Sequence, residues 1–364
     1  MRLYIIAGEA SGDLHAANLI KEIRRLNSNC TFRGIGGDLM KQEGVELVKH
    51  FRETAFMGFL EVIRNLKKIL GFIEFTKKDI QQWKPDAIIL VDYPGFNLRI
   101  ADFAKQQHYK VFYYISPQVW AWKASRVKKI KRTVHQLFVI LPFEKEFYKK
   151  WGMEVTFVGH PLLDATAQFS IRESVVSNKR TMVALLPGSR KQEISKMLPV
   201  MLEVIPHFPA IDFVVAGVPS VDESFYHDII GSSKVSLILN KTYEILSGAD
   251  AALVTSGTAT LEAALFNVPE VVCYKGSAVS FWIGKQLVDV KYISLVNLIL
   301  DRPLVKELIQ QEFTVANLKA ELKQLISDES KIATIKKGYL ELKEKLGGSG
   351  ASVLTAQHIL DAMK

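Results

Sequence analysis

Leu253-Val-Thr-Ser-Gly-Thr-Ala-Thr-Leu-Glu-Ala-Ala-Leu265, closing on Val268-Pro-Glu-Val-Val-Cys-Tyr-Lys275, decides the fold of this chain. The first apolar run reads as a buried strand, and a Ser-Gly-Thr turn ends it. A helix then starts at about Thr258 and carries Glu262 on its first turns. It stops at Asn267 and Pro269, where a second apolar strand begins. This is a βαβ unit with its helix N-terminus at the carboxyl edge of a parallel sheet. Small residues at such a turn leave backbone N–H groups open to a ligand, and the helix dipole adds partial positive charge. The combination suits phosphate. Glu262 is placed to accept hydrogen bonds from ribose hydroxyls. Many α/β proteins carry such a turn, so a packed turn without a ligand is the competing reading.

The same scheme extends along the whole chain. Strand-like runs occur at 3–7, 32–35, 87–92, 111–116, 137–141 and 156–158, and again at 182–186, 212–216, 236–239, 251–254 and 270–274. Helical patterns at 14–26, 100–107, 127–135 and 196–205 lie between them. Such alternation means parallel sheets covered on both faces. The expected class is α/β, with two Rossmann-like domains in tandem. The boundaries are 1–165, 166–345 after a polar hinge at 166–180, and a C-terminal helix at 346–364 packing back on the N-terminal domain. A helical stretch from Val315 onward breaks at Gly347-Gly-Ser-Gly350. Ligands of such sheets bind at the carboxyl ends of the strands, so a cleft between facing domains is the expected active site.

The 364 residues exceed the size at which one core stops growing, and 48% hydrophobic content allows two cores. Lys and Arg outnumber Asp and Glu by 47 to 38, a net charge of +9. That balance points to anionic partners or to lysine used for solubility. Cys30 and Cys273 lie far apart without metal-ligand spacing, which fits a reducing cytoplasm. Met1-Arg-Leu-Tyr-Ile-Ile-Ala enters a strand at once, so no signal peptide is expected. No apolar run reaches transmembrane length, and membrane contact is expected to be peripheral.

Further motifs sit at strand ends. Gly8-Glu-Ala-Ser-Gly-Asp-Leu-His15 follows the first strand, with Ser11 as the expected N-cap. It lacks the G-x-G-x-x-G dinucleotide fingerprint. Its polar set Glu9, Ser11, Asp13 and His15 is either a functional group or plain capping with helix-start acids. Val91-Asp-Tyr-Pro-Gly-Phe-Asn97 ends a buried strand with an acid at its tip. Desolvation there raises a carboxyl pKa and suits Asp92 to general-base work; holding the turn or capping the next helix is the other reading. Leu186-Pro-Gly-Ser-Arg-Lys-Gln-Glu-Ile194 repeats strand, turn and helix start. Gly188 and Ser189 let backbone approach a ligand, and Arg190 offers a planar fork for phosphate unless it is an ordinary surface arginine. In Phe157-Val-Gly-His-Pro-Leu-Leu-Asp164, His160 is held extended before Pro161 as a ligand contact or a hinge. No second ligand is spaced to make zinc with it.

Two stretches suggest surfaces. Ser116-Pro-Gln-Val-Trp-Ala-Trp122 runs into Lys123, Arg126, Lys128, Lys129, Lys131 and Arg132. This cationic helix suits nucleic acid, anionic lipid headgroups or plain solvation. Residues 57–75 interleave apolar side chains with Lys67 and Lys68, and Lys77 and Lys78 follow. Core packing is the default there, but apolar residues on more than one face suit a membrane or acyl-chain site.

The runs at 8–15, 91–97, 116–122, 141–144 (Leu-Pro-Phe-Glu), 158–164, 186–194 and 256–262, in this order, resemble the lipid-A-disaccharide synthase family of bacterial glycosyltransferases. The resemblance covers essentially the whole chain. It implies the GT-B architecture, two Rossmann-like parallel-sheet domains facing a central cleft. It implies joining UDP-2,3-diacylglucosamine to 2,3-diacylglucosamine 1-phosphate. The products would be a β-1,6-linked disaccharide 1-phosphate and UDP, formed with inversion and with no cofactor and no metal. The expected place is the cytoplasmic face of the inner membrane. The partners implied are the two acylated sugars, the anionic membrane surface and a second copy of the chain, without nucleic acid. Carried over residue by residue, Asp92 is the base on the acceptor 6-hydroxyl, and Asp13 and Glu9 stand with it as catalytic acids. Ser11 and His15 join them on the acceptor side. Arg190, Ser256, Gly257, Thr258 and Glu262 serve the UDP, and Asn297 sits near the donor phosphates. The chain departs from the family around Asn297, where Val296 replaces a proline and Leu300-Asp301 replaces an Ala-Gly pair. Gly95 also stands where an acid is common. Two other classes fit parts of the pattern. Another GT-B UDP-sugar enzyme, an epimerase or murein-type transferase, needs no basic apolar patch. A non-catalytic protein binding nucleic acid or anionic membrane needs no strand-tip acids.

Overall fold

A computed structural model describes residues 1–54, 66–122, 124–167, 169, 180–276 and 291–364. The chain forms two compact units, one of Met1–Asp164 with Leu346–Lys364 and one of Ala165–Lys345. In the first, β1 (Arg2–Ala7), β2 (Thr31–Gly36), β3 (Glu46–His50), β4 (Ala87–Val91), β5 (Lys110–Tyr114), β6 (Gln136–Val139) and β7 (Thr156–Phe157) make one sheet. Its order is β3-β2-β1-β4-β5-β6-β7, and every pairing is parallel.

The central strands β1, β4 and β5 are apolar beyond their first residues because helices bury both faces. Tyr4, Ile6, Ile88, Leu90 and Tyr113 enter one core, closed by Ile73 and Ile80 of the helix Leu66–Trp83. The alternate residues Leu3, Ile5, Ile89, Phe112 and Tyr114 enter the other. The helices Ala10–Leu26 and Ala351–Ala362 cover that second face. Burying each large aliphatic side chain contributes about 1.5–3 kcal/mol. Asp164 fixes the start of the C-terminal helix by accepting the N–H groups of Gly350 and Ser352.

The second unit carries β8 (Met182–Leu186), β9 (Asp212–Gly217), β10 (Ser236–Leu239), β11 (Ala251–Thr255), β12 (Glu270–Tyr274) and β13 (Lys306–Ile309). Their order is β10-β9-β8-β11-β12-β13, again parallel throughout. In both sheets the strand order reverses beside the first strand, between β1 and β4 and between β8 and β11. Ligands of open α/β sheets bind at such switch points, outside the carboxyl ends.

Three differences from the sequence reading have physical causes. β3 and β13 were not anticipated. They are edge strands, and charged residues such as Glu46, Lys49, Lys306 and Glu307 suit an edge. The first helix starts at Ala10 with Glu9 as N-cap, so Ser11 lies in the first turn and is exposed rather than capping. Phe72, grouped above with a lipid-facing segment, packs against the first core, whereas Leu70 and Phe75 are exposed. Residues 57–65 of that segment, Lys123 and residues 170–179 of the expected hinge lie outside the described residues. Among the described residues no helix is long and apolar enough to cross a membrane.

Candidate active site

In the first unit Ala7 pairs with Val91, so Gly8 and Asp92 leave the sheet side by side at the switch point. Asp92 and Tyr93 both adopt left-handed backbone, at φ 46° and 49°. Ile115, just past β5, does so too at 63°. Non-glycine residues avoid this region, at a cost on the order of 1–3 kcal/mol each, and such strain clusters at functional sites. The Asp92 carbonyl accepts Tyr113 Oη–H at 2.5 Å and Asn97 Nδ2–H at 2.8 Å. Tyr93 stacks on Phe96 with centroids 5.5 Å apart, and a Cβ at Gly8 would overlap the Tyr93 ring. Burial first, and then the negative charge of Glu9, push the Asp92 carboxyl up to about 6.

The other acceptor-side candidates fall into different surroundings. Glu9 is half-buried. Asp13 is buried, and its carboxylate accepts the N–H groups of Gly37, Leu39 and Met40 at 2.7, 3.1 and 3.2 Å. It therefore caps the short helix Asp38–Gln42 and spends its oxygens on backbone. His15 is buried, with its pKa lowered to about 4 by desolvation. Its Nδ1 has no protein partner among the described residues. His160 is lowered to about 3 by burial and then by His15. It donates its N–H to the Leu346 carbonyl at 3.2 Å, which ties the end of β7 to the C-terminal segment.

The sequence reading missed three residues. Tyr113 and Asn97 carried no signal beyond an apolar strand and a helix start. Glu144 ends the Leu-Pro-Phe-Glu run at 141–144, which by itself points to no particular chemistry. It is buried and accepts the N–H groups of Ile140 and Leu141 at 3.1 and 2.9 Å. Burial pushes its carboxyl up to about 7. An acid three residues after a helix start is the usual sign of such a cap.

In the second unit Leu186 pairs with Val254, so the loop at 187–190 and the turn at 255–258 emerge side by side. Gly257 takes φ 155°, with no heavy atom within 4 Å of where a Cβ would sit. Gly257 and Thr258 are exposed at the start of the helix Thr258–Leu265. Ser256 donates its hydroxyl to the Ile293 carbonyl at 2.8 Å. Gly188 turns at φ 114°. Glu193 accepts Ser189 N–H at 3.0 Å and pairs with Arg190 at 3.2 Å. The Arg190 side chain is 51% exposed, and an ion pair of that exposure is worth only about 0.2–1 kcal/mol. Glu262 accepts from Tyr243 Oη at a long 3.4 Å, and burial pushes it up to about 7. Asn297 is placed differently. It is buried, and its amide donates to the Val305 carbonyl and to Glu307, both at 2.9 Å, while its oxygen accepts Val305 N–H at 3.0 Å. Both amide protons are spent within the protein.

A Rossmann-like sheet with an acid at its switch point, and a second sheet with an exposed glycine turn and an arginine at its own, define a GT-B-type nucleotide-sugar enzyme. Solved structures agree on the fold. A UDP-GlcNAc 2-epimerase from Neisseria meningitidis, solved with UDP-GlcNAc, superposes with TM-score 0.70 over 99% of this chain and 100% of its own, at 14% identity. The glycotransferase of kitacinnamycin gives 0.67 over 100% and 99%, at 13% identity. At that identity the likeness is one of fold. Sequence goes further. Residues 3–359 match the family described as lipid-A-disaccharide synthetase. The lipid-A-disaccharide synthase of Syntrophus aciditrophicus is 40% identical over 99% of this chain and 97% of its own length. That of Geobacter metallireducens is 38% identical over 100% and 97%. The chain belongs to the lipid-A-disaccharide synthase family.

Proposed function

We infer that this chain is the glycosyltransferase of lipid A biosynthesis that its family implies. It joins UDP-2,3-diacylglucosamine to 2,3-diacylglucosamine 1-phosphate and releases UDP. The observation that carries the mechanism is Asp92, a desolvated carboxyl on a strained turn at the switch point of the first sheet. Its carboxylate takes the proton of the acceptor 6-hydroxyl as that oxygen attacks the anomeric carbon. The bond to UDP breaks with its electron pair leaving on the phosphate oxygen, and the anomeric centre inverts. With a pKa of about 6, Asp92 is mostly ionised near neutral pH yet more basic than an ordinary carboxylate, which general-base catalysis favours. Arg190 and the exposed turn at Gly257 and Thr258 meet the diphosphate, and Glu262 meets the ribose. Glu9 raises the basicity of Asp92.

Asp92→Asn should fold normally and release UDP roughly 10²–10⁴-fold more slowly. In the wild type, kcat/KM should fall as the pH drops through about 6, because the protonated acid cannot accept a proton. Near wild-type turnover in Asp92→Asn would remove the base assignment.

The acyl chains of both substrates imply a second element, docking on an anionic bilayer. Exposed Leu70 and Phe75 support it, as does the cationic helix Arg126–Thr133. Lys129 and Arg132 of that helix pair with Asp102, which leaves a weaker cationic face than the sequence suggests.

A further inference from the structure

Asp92 and Tyr93 form two consecutive left-handed residues with no glycine between strand and helix. Two buried side chains spend their donors on this turn. Tyr113, fully buried near the end of β5, donates to the Asp92 carbonyl at 2.5 Å. Asn97, fully buried one turn into the helix Pro94–Gln106, donates to the same carbonyl at 2.8 Å and to the Val91 carbonyl at 3.2 Å. Packing alone does not call for these polar groups. Tyr113 lies in an apolar cluster with Ile88, Leu90 and Val119, where phenylalanine would fill the same space. A buried donor is costly unless paired, and here the Tyr113 hydroxyl and the Asn97 amide nitrogen both donate to one peptide oxygen. That peptide plane sets ψ of Asp92 and φ of Tyr93. It therefore sets the direction in which the Asp92 side chain leaves the strand tip.

We propose that Tyr113 and Asn97 are positioning residues for glycosyl transfer, holding the Asp92–Tyr93 turn so that the Asp92 carboxylate stays aligned with the acceptor hydroxyl. The proposal rests on the reading of Asp92 as the base. Misplacing a catalytic group by about 1 Å can cost around 10²-fold in rate, so a small rotation of this peptide is enough to matter.

The test uses the full chain, the two acylated sugars and UDP release. Tyr113→Phe should lower kcat by about tenfold or more while KM for both sugars stays within about twofold, since only alignment is lost. Asn97→Asp keeps the volume, turns the donor into an acceptor and should act in the same direction. The double variant Asp92→Asn/Tyr113→Phe should be no slower than Asp92→Asn alone, because a residue acting through Asp92 has nothing left to position. Wild-type kcat in Tyr113→Phe overturns the proposal. So does a double variant whose losses multiply, which would mean an independent role. If both single variants lose their cooperative melting transition, the role is structural and the proposal fails. Failure of the base assignment reads differently: Asp92→Asn itself would turn over normally.

Discussion

Asn297→Ala should destabilise the second unit and leave UDP binding nearly unchanged. The amide of Asn297 joins the helix Leu295–Leu300 to the approach to β13. It bonds both backbone groups of Val305, at 2.9 and 3.0 Å, and Val305 is 1% exposed. Truncation orphans that N–H and C=O out of reach of bulk water. Each unsatisfied group costs about 1–3 kcal/mol. Glu307 loses one donor at 2.9 Å but keeps the N–H groups of Ile293 and Ser294, both at 3.0 Å, so its share is smaller. The total is on the order of 2–6 kcal/mol, less if water enters the space. A unit of this size loses about 2–4 °C of melting temperature per kcal/mol, so the transition should fall by roughly 5–20 °C. Scanning calorimetry reads the transition, and isothermal titration with UDP, run well below it, reads the site. The expected Kd stays within about twofold. An unchanged transition together with a tenfold weaker Kd would refute the reasoning and return the amide to the diphosphate.

Three further outcomes are expected. Gly8→Ala forces a Cβ into the Tyr93 ring; overpacking of this kind costs about 1–3 kcal/mol, and turnover should fall at least as far as stability, whereas wild-type kcat would show that the ring yields freely. His15 and His160 are held neutral with pKa values lowered to about 4 and about 3, so the unfolded chain binds protons first as the pH falls. Their share of stability is full above the unfolded value of about 6.5 and drains below it. Asp92 and Glu144 are raised and act in the opposite sense, so the decisive quantity is a difference: the melting temperature of His160→Gln relative to wild type should rise as pH drops from about 6.5 to 4, and a flat difference would refute it. Leu70→Ser with Phe75→Ser should lower sedimentation with anionic vesicles at high salt, where charge attraction is screened, without shifting the melt; wild-type protein that never sediments would end the docking proposal.

Fold class and strand ends were legible for a simple reason. Strands such as β4 and β11 are buried on both faces, so unbroken apolar runs, five residues in β4 and four in β11, mark them, and the turn residues beyond follow by position. β3 and β13 escaped because an edge strand meets solvent and carries charge. That Asp92 ends a buried strand follows from the same pattern. That its backbone is left-handed does not, because an Asp-Tyr-Pro sequence is compatible with several turns and Tyr113 lies on another strand.

By itself the sequence determined that the chain alternates strand and helix, ends several strands in small or acidic residues, and carries the ordered motifs of one glycosyltransferase family. Those features are local, set by period, apolar content and turn chemistry. The tertiary structure decided what each polar side chain is used for. Asp13 spends its carboxylate on Gly37, Leu39 and Met40, Asn297 spends its amide on Val305 and Glu307, and Tyr113 and Asn97 tie down the Asp92 carbonyl. A buried polar group must find a partner. That partner usually lies on another element, at a sequence distance no local pattern records, and only the folded chain shows which groups are left for the substrate.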